Sequence, residues 1–259
     1  MVDLHNHILP GVDDGAPTLD AALAMARVAQ ADGITTVVAT PHRNPWAYHD
    51  DRADAERRLG ELRAACGQAG IAIELRLGGE AHIAPDLVEQ VQTGLALTIN
   101  EGRFLLVEWP YDQYPEYSEQ VIFDLQVRGI VPIVAHAERY RIVRRDPSYL
   151  ATLVERGVLI QVTASSLLGE FGPATRKLTE ILLTHGLAQV IASDSHAVDR
   201  RPPVLSAARD RAAELVGEAR ARALVVDVPS QVVDNQAIDL PPPKPYKPQP
   251  FWAFWRSGS

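Results

Sequence analysis

Short apolar runs alternate with longer amphipathic stretches along most of the chain. The apolar runs are rich in β-branched residues and predict strands at Val2–Ile8, Ile34–Thr40, Ile71–Leu77, Phe104–Glu108, Ile130–Ala135, Val158–Val162 and Ala188–Ala192. The stretches between them predict helices at Leu19–Ala31, Asp51–Ala69, Pro85–Gln92, Glu116–Arg128, Pro147–Glu155, Ala174–His185 and Leu205–Ala219. This alternation predicts parallel strands joined by right-handed helical crossovers.

About seven strand–helix units fit either a closed barrel or an open, doubly wound sheet. The near-continuous apolar strands are typical of a sheet covered on both faces. No G-x-G-x-x-G turn follows the first strand, which disfavours a dinucleotide-binding sheet. The chain has 259 residues, of which 46% are hydrophobic, and this is enough for one large barrel core.

Charge and cysteine content narrow the classes of protein further. The formal net charge is -8, which argues against a nucleic-acid partner because such binding usually needs a basic face. Cys66 is the single cysteine, so no intramolecular disulfide can form. No signal-peptide pattern and no apolar run of about 18 residues occurs, so we expect a cytoplasmic protein without a transmembrane segment.

The composition changes after Leu240 to "PPPKPYKPQPFWAFWRSGS". We therefore predict a barrel over residues 1–240 and a proline-rich aromatic tail over residues 241–259. The prolines favour an extended polyproline segment, and Phe251, Trp252, Phe254 and Trp255 follow them. We expect the tail to pack along the barrel surface; docking to a partner or a membrane surface, and disorder, are the alternatives.

Histidines and carboxylates follow six of the seven predicted strands. Because the carboxyl ends of parallel strands share one face, these side chains are expected to converge there. Side chains alternate along a strand, so His5 and His7 point the same way, and Asp194 and His196 repeat that spacing. We predict a metal centre made by His5, His7, Asp14, His42, Glu80, Glu108, His136, Asp194 and His196.

Nine nitrogen and oxygen ligands exceed the need of one ion, so two or three divalent ions are expected, with Glu80 or another carboxylate as a bridge. The absence of cysteine ligands favours manganese, iron or zinc over a structural thiolate site. Asp13 is expected in a turn or behind a ligand, and Asp3 lies on the predicted face of His5 as a supporting group. We do not expect His49, His82 or His185 to bind metal.

Six segments together resemble a known superfamily: "DLHNHILPGVDDG", "TPH", "GGE", "VEWP", "AHAERY" and "SDSH". They are similar to the ordered motifs of the polymerase and histidinol phosphatase (PHP) superfamily, over about residues 1–205. The "HNHILPGVDDG" opening and "AHAERY" resemble, more narrowly, the bacterial manganese-dependent protein-tyrosine phosphatases of capsule and exopolysaccharide gene clusters.

This resemblance implies an α/β fold, a distorted (β/α)7 barrel with outer helices and a trinuclear metal site at its C-terminal face. It assigns the nine residues above as ligands, with manganese the first expectation and iron, zinc or cobalt the others. It implies Arg139 and Arg201 as phosphate contacts, with Arg200 as the alternative to Arg201. The implied substrate is phosphotyrosine, typically on the tyrosine-rich tail of a polysaccharide-synthesis kinase.

Other functions remain open at this point. A small-molecule phosphatase of the same superfamily, such as a histidinol-phosphate phosphatase, is the main alternative; a nuclease, a non-catalytic binding module and an amidohydrolase fit less well. A cysteine-dependent phosphatase is disfavoured, because Cys66 lies in a helical pattern and Ala72 stands where the arginine of a phosphate loop is needed. Four aromatic residues are candidates for walls around a phosphotyrosyl ring: Trp46, Tyr48, Trp109 and Tyr111.

Overall fold

Parallel strands curl into a distorted barrel with helices around its outside. The computed structural model describes residues 1–43 and 52–246. Every strand pair in these two ranges is parallel. The strands are β1 (Val2–Asn6), β2 (Thr36–Ala39), β3 (His42–Arg43), β4 (Glu74–Leu77), β5 (Glu80–His82), β6 (Phe104–Glu108), β7 (Val131–Val134), β8 (Leu159–Thr163) and β9 (Val190–Ala192).

The strands form two ladders that together give seven barrel positions. One ladder has the order β1-β2-β4 and the other the order β3-β5-β6-β7-β8-β9. β3 continues β2 and β5 continues β4, each after a short break, so the nine segments occupy seven positions. The ring closes where Asp194 N donates to His5 O and His7 N donates to Ser195 O, both at 2.9 Å. The predicted barrel is thereby confirmed.

Two short strands, β3 and β5, were not predicted from the hydrophobic pattern. They have two and three residues, too few for a period of two to show. The break before β5 falls at Gly78 and Gly79, and a Cβ on Gly79 would lie only 2.7 Å from Arg43 Cγ. Glycine thus permits the close approach that lets the strand resume with Glu80 as its first residue.

Eleven α-helices surround the sheet in the described ranges. They are α1 (Leu19–Ala31), α2 (Arg52–Gln68), α3 (Leu87–Thr93), α4 (Ser118–Val127), α5 (Arg141–Arg145), α6 (Tyr149–Glu155), α7 (Ala164–Leu168), α8 (Pro173–Thr184), α9 (Ser206–Val216), α10 (Glu218–Arg222) and α11 (Val228–Val233). α1 has the predicted bounds, and Thr18 Oγ1 accepts a hydrogen bond from Ala21 N at its start.

The predicted helix over Leu205–Ala219 is wrong as one continuous element. Gly217 has a φ of 83° and separates α9 from α10, because this left-handed conformation favours glycine and cannot continue a helix. A π-helical turn over Ala223–Asp227 and then α11 follow, in a region for which the hydrophobic pattern predicted no element. Within residues 1–43 and 52–246, none of the helices combines the length and the apolar character needed to cross a bilayer.

Apolar side chains fill two layers on either side of the sheet. The larger cluster lies between the strands and the helices, and includes Met25 of α1, Leu105 of β6 and Leu182 of α8. The smaller cluster takes one or two residues from most strands, among them Phe104 of β6, and Val232 of α11 joins it. These two layers hold the strands in place and leave their carboxyl ends to polar residues.

The described part of the tail lies against the end of α8. Lys244 N donates to His185 O at 2.8 Å, and the Tyr246 ring lies 5.3 Å from the His185 ring. His185 Nδ1 also lies 2.9 Å from Ile181 O, as expected of a histidine that closes a helix. The aromatic residues at 251–255 fall outside the described ranges, and the division at residue 240 stays a prediction.

Candidate metal centre

The nine predicted ligands lie together at the carboxyl ends of the strands, and Glu80 is central among them. Glu80 Oε2 lies 3.2 Å from His5 Nε2 and 3.0 Å from His42 Nδ1. Glu80 Oε1 lies 2.9 Å from His136 Nε2, and Glu108 Oε1 lies 3.6 Å from the same nitrogen. The side chains of His5, His136 and Glu80 are nearly inaccessible to solvent. A carboxylate in this position can bridge two ions.

Asp194 and Asp14 extend the cluster on the side of β1 and β9. Asp194 Oδ1 lies 3.4 Å from His5 Nε2 and 3.5 Å from His7 Nε2. Asp14 Oδ1 lies 3.3 Å from His196 Nε2 and faces solvent on its other side, with 52% of the side chain exposed. The nitrogens His5 Nε2 and His7 Nε2 are 3.1 Å apart, so the two side chains do point the same way.

Three overlapping groups have ligand atoms close enough for one ion each. Within a group, the ligand atoms all lie within 4.8 Å of one another. The groups share His7, His42 and Glu80, so that seven of the nine side chains supply three positions, and His136 and Asp194 belong to none of the three. The groups are His7, Asp14, His42 and His196; His5, His7 and Glu80; and His42, Glu80 and Glu108.

The donor chemistry fits bound divalent ions. Glu80 Oε2 is buried and has no hydrogen-bond partner among the described residues, although several imidazole nitrogens lie around it. A buried carboxylate oxygen in this state is costly unless a cation accompanies it. Mixed imidazole and carboxylate donors suit manganese, iron or zinc. The residues present therefore fit a centre of two or three ions.

Electrostatics of the cluster favour the charged forms of Glu80 and Asp194 but not that of Glu108. Burial opposes ionisation of Glu80 and Asp194, but the imidazoles around them, His5 foremost, outweigh it and hold the pKa of both groups well below the usual value. Burial and the charge of Glu80 together raise the pKa of Glu108 to about 7. Burial also opposes protonation of His7, but the carboxylates of Asp13, Asp194 and Glu80 raise the pKa of His7 well above the usual value. The cluster is therefore built to attract positive charge, as protons or as metal ions.

Asp13 supports two of the histidines from behind. Asp13 Oδ2 lies 2.7 Å from His7 Nδ1 and accepts a hydrogen bond from His42 N at 2.9 Å. Asp13 Oδ1 accepts from Gly15 N. Gly15 lies so close that a Cβ there would be 2.0 Å from His7 O, so the loop after β1 can fold onto His7 only with glycine at this position. A carboxylate behind a ligating histidine fixes its ring and tautomer.

We expect Asp13→Asn to weaken metal binding by about 10- to 100-fold, because the amide no longer holds the His7 ring as the carboxylate does. Metal titration followed by elemental analysis measures this loss, and activity should return at higher metal concentration. Asp20→Asn, on the exposed surface of α1, serves as the control. Unchanged metal affinity in Asp13→Asn would show that Asp13 only shapes the loop.

Gln161 and Asp3 are two further supporting residues. Gln161 Oε1 accepts from His136 N at 2.7 Å and lies 3.2 Å from His5 Nδ1. The sequence analysis did not predict a role for Gln161. The only signal in the sequence is an amide side chain within the otherwise apolar strand β8. Asp3, expected beside His5, instead accepts from Ser193 N and Ser193 Oγ at 2.9 and 2.6 Å. It thereby fixes the backbone just before Asp194.

Three of the six non-glycine residues with positive φ in the described part of the chain lie at the centre or beside it. His136, Asp194 and Arg201 have φ values of 32°, 51° and 54°, in the left-handed region that costs a non-glycine residue about 1 kcal/mol or more. His136 and Asp194 follow the ends of β7 and β9. The positive φ turns each side chain out of the strand alternation and into the cluster.

Two arginines stand at the edge of the cluster and share one carboxylate oxygen. Arg139 Nη1 and Arg201 Nη1 each lie 2.8 Å from Asp194 Oδ2. Both residues line a cavity of about 330 Å³, together with Tyr111 and several of the predicted ligands. Arg200 is exposed and is not part of this lining. The geometry therefore brings Arg201, rather than Arg200, to the site.

The candidate aromatic walls separate into different environments. Tyr111 lines the cavity. Trp109 is only 1% exposed, so the prediction that Trp109 forms a wall of the cavity is wrong. Alternation along the strand places Trp109 opposite to Glu108, where it packs on Tyr114 and Tyr140 under the helices. Trp46, Tyr48 and His49 fall outside the described residues. His82 is half-buried on β5 and belongs to none of the three groups above.

A parallel barrel with clustered histidines and carboxylates at its C-terminal face, bordered by arginines, defines the class of barrel-type metal-dependent hydrolases. The family model described as "Capsular polysaccharide synthesis, CpsB/CapC" matches residues 1–234. The chain belongs to this CpsB/CapC family.

Several curated relatives and solved structures are similar to the chain. It is 38% identical over 205 residues to the putative tyrosine-protein phosphatase CapC of Staphylococcus aureus, covering 79% of this chain and 80% of the relative. It is 33% identical to the tyrosine-protein phosphatase YwqE of Bacillus subtilis, covering 98% of this chain and 100% of the relative.

One solved structure superposes on the chain with a TM-score of 0.91. It comes from a pair of crystal structures, of YwqE from Bacillus subtilis and CpsB from Streptococcus pneumoniae, described as unique metal-dependent tyrosine phosphatases. The identity is 33%, and the match covers 96% of this chain and 100% of that chain. A prolidase superposes with a TM-score of 0.53 at 13% identity, covering 93% of this chain and 77% of that chain. This last likeness shows the barrel fold alone.

Proposed function

We propose that this protein is a metal-dependent tyrosine phosphatase that hydrolyses phosphotyrosine in proteins. The observation that carries the proposal is one cavity that combines two features. Three groups of side chains there could each hold an ion, and Arg139 and Arg201 stand beside them, both bonded to Asp194 Oδ2. Relatives named as tyrosine-protein phosphatases at 33 and 38% identity support it. A small-molecule phosphatase, such as one for histidinol phosphate, is not favoured by these relatives.

The chain's own residues bind and orient the phosphate ester. When bound, divalent ions activate water as the nucleophile and neutralise charge on the phosphoryl oxygens. We propose His5, His7, Asp14, His42, Glu80, Glu108, His136, Asp194 and His196 as the residues that hold these ions. The planar guanidinium groups of Arg139 and Arg201 bind phosphoryl oxygens, and Asp194 keeps both groups aimed at the cavity.

The leaving group makes a modest demand on the protein. A tyrosine phenolate has a pKa of about 10, so it departs more readily than an alkoxide. Tyr111 lies at the cavity, but burial raises the pKa of its hydroxyl, which makes it a poor proton donor. We therefore assign Tyr111 a role in holding Arg139 and the substrate rather than in proton transfer.

The finer parts of the proposal concern the ion, the partner and the location. We propose manganese as the ion, because the donor set is nitrogen and oxygen without sulfur. The proposed substrate is the tyrosine-rich tail of a kinase for polysaccharide synthesis, consistent with the family's description. The single cysteine, Cys66, is free and supports a cytoplasmic location.

Metal removal and replacement test this proposal. The purified protein is stripped with a chelator, reloaded with manganese, iron, zinc or cobalt, and assayed on a tyrosine-phosphorylated peptide and on histidinol phosphate. We expect no turnover without metal, recovery on reloading with two or three ions per chain, and clear preference for the phosphotyrosine peptide. Equal or better turnover of histidinol phosphate would overturn the protein substrate, and full activity after chelation would overturn the metal chemistry.

Replacement of Cys66 tests the cysteine route. Cys66 lies buried on α2, away from the residues that line the cavity, and burial raises the pKa of its thiol. A reactive cysteine needs the opposite environment, so we expect Cys66→Ser to keep kcat within about twofold of the wild type. Assay of the metal-loaded variant on the phosphotyrosine peptide measures this. Loss of turnover with intact metal content would show that the thiol takes part.

A further inference from the structure

A short turn between α7 and α8 presents an exposed aromatic side chain, Phe171. Gly169 and Gly172 flank it with φ values of 91° and 90°, and Gly172 N donates to Gly169 O at 2.9 Å. Because left-handed φ values favour glycine, these residues define the conformation of the turn, and Pro173 then begins α8. Phe171 is 38% exposed, so part of its apolar side chain faces solvent.

The ring of Phe171 lies against a guanidinium of the proposed active site. Arg139 Cζ is 5.1 Å from the centre of the Phe171 ring and 4.8 Å from that of Tyr111, within the range of cation–π contacts. The Tyr111 ring packs in turn on His136 and Tyr140, with centres 5.5 and 5.8 Å apart. Arg139 is therefore held between Asp194 and two aromatic rings, and both rings are partly exposed, Tyr111 at 40% and Phe171 at 38%.

A single exposed phenylalanine is common on protein surfaces and by itself indicates nothing. The position of Phe171 is different because, although it is not itself among the residues that line the cavity, its ring contacts Arg139, which lines the cavity. In a phosphotyrosine, one oxygen atom joins the phosphorus to the aromatic ring. A phosphate bound by Arg139 would therefore place that ring near the side chains that pack on Arg139, Tyr111 and Phe171.

We propose that Phe171 is a specificity-determining residue, and that its exposed ring packs against the phosphotyrosyl ring of the substrate. This inference rests on the proposed function and adds the residue that selects an aromatic ester. A phosphoserine presents no ring to this surface. Phe171 and Tyr111 thus give aryl phosphates a contact that alkyl phosphates lack.

Steady-state kinetics of the metal-loaded enzyme test the inference. The wild type is compared with Phe171→Ala, Phe171→Leu and Phe171→Trp on a tyrosine-phosphorylated peptide. Inorganic phosphate, which has no ring, is used as a competitive inhibitor of each. We expect Phe171→Ala and Phe171→Leu to raise KM for the peptide about five- to tenfold, with little change in kcat, because only ring packing is lost. Inhibition by inorganic phosphate should be unchanged, and Phe171→Trp should restore the wild-type KM.

Two controls separate this role from a structural one. Phe123→Ala removes an equally large ring from the exposed surface of α4, where Phe123 is 52% exposed, and should leave KM unchanged. Metal content and thermal unfolding are measured for each variant, and Phe171→Leu keeps an apolar side chain should the alanine variant fold poorly.

Each remaining outcome decides the question. If KM for the peptide and the inhibition constant of phosphate rise together, Phe171 only positions Arg139 and the inference is overturned. If neither changes, it is also overturned. Absence of phosphotyrosine turnover by the metal-loaded wild type would overturn the proposed function first, and this inference with it.

Discussion

Replacement of Glu80 by glutamine is expected to lower kcat about 1,000-fold or more, which corresponds to roughly 4 kcal/mol of transition-state stabilisation. Glu80 Oε1 and Oε2 lie within 3.2 Å of nitrogens from His5, His42 and His136, so this one carboxylate joins three of the histidines in the cluster. The amide is isosteric but carries no charge, and it cannot balance the charge of two neighbouring ions. Assay on a phosphotyrosine peptide and elemental analysis of the same preparation measure the effect.

The metal content decides how the loss of Glu80 is interpreted. We expect fewer ions per chain in Glu80→Gln and incomplete recovery with added metal. Glu89→Gln, on the exposed face of α3, should retain both activity and metal. Wild-type activity in Glu80→Gln would contradict the proposal that side chains at the strand ends hold the ions.

Replacement of Arg139 by alanine should produce the second largest effect, a fall in kcat/KM of about 100-fold, because a charge-assisted hydrogen bond to the phosphoryl group is lost. Arg139→Lys should restore little of it, since an ammonium cannot replace a planar guanidinium that binds two oxygens. Kinetics with the phosphotyrosine peptide give the loss. Inorganic phosphate should also inhibit the variant more weakly than the wild type, which would show that the lost contact is the one to the phosphoryl group.

The contact between Arg139 and Asp194 makes metal analysis essential for this variant. We expect the ion content to be unchanged, because Asp194 keeps its approach to His5 and His7 and Arg201 still binds its second oxygen. Arg145→Ala, on the exposed part of α5, should behave like the wild type. Loss of ions in Arg139→Ala alone would make this arginine a structural part of the centre.

The sequence predicted the barrel and the location of the cluster for one physical reason. Parallel strands place their carboxyl ends on one face, so His5, Glu108 and His136 could be brought together without knowledge of any contact. The strands were predicted somewhat too long at their ends, as at Val2–Ile8, because apolar residues continue beyond the last ladder hydrogen bond. Glycine at 217 ends a helix that hydrophobic periodicity alone extends.

The rest of the site depends on features with no periodic signal. Positive φ angles turn His136 and Asp194 out of the strand alternation, and such angles are not encoded in hydrophobicity. Gln161 supports two histidines through contacts that join residues 156 and 25 positions apart in the chain. Phe171 contacts Arg139 only because a turn on another crossover lies beside it. Long-range packing decides each of these.

The hydrogen bonds that close the barrel join the start of the chain to a segment 188 residues further on, where His7 meets Ser195. The same closure supplies His5 and His7 from one side and Asp194 and His196 from the other. A growing polypeptide therefore lacks the complete centre until residue 196 has left the ribosome. Ions held by the proposed centre would stabilise the closed ring by mass action, because the unfinished chain lacks the full set of proposed ligands. In the cell, the supply of the metal is thus expected to govern the lifetime of the protein as well as its catalytic rate.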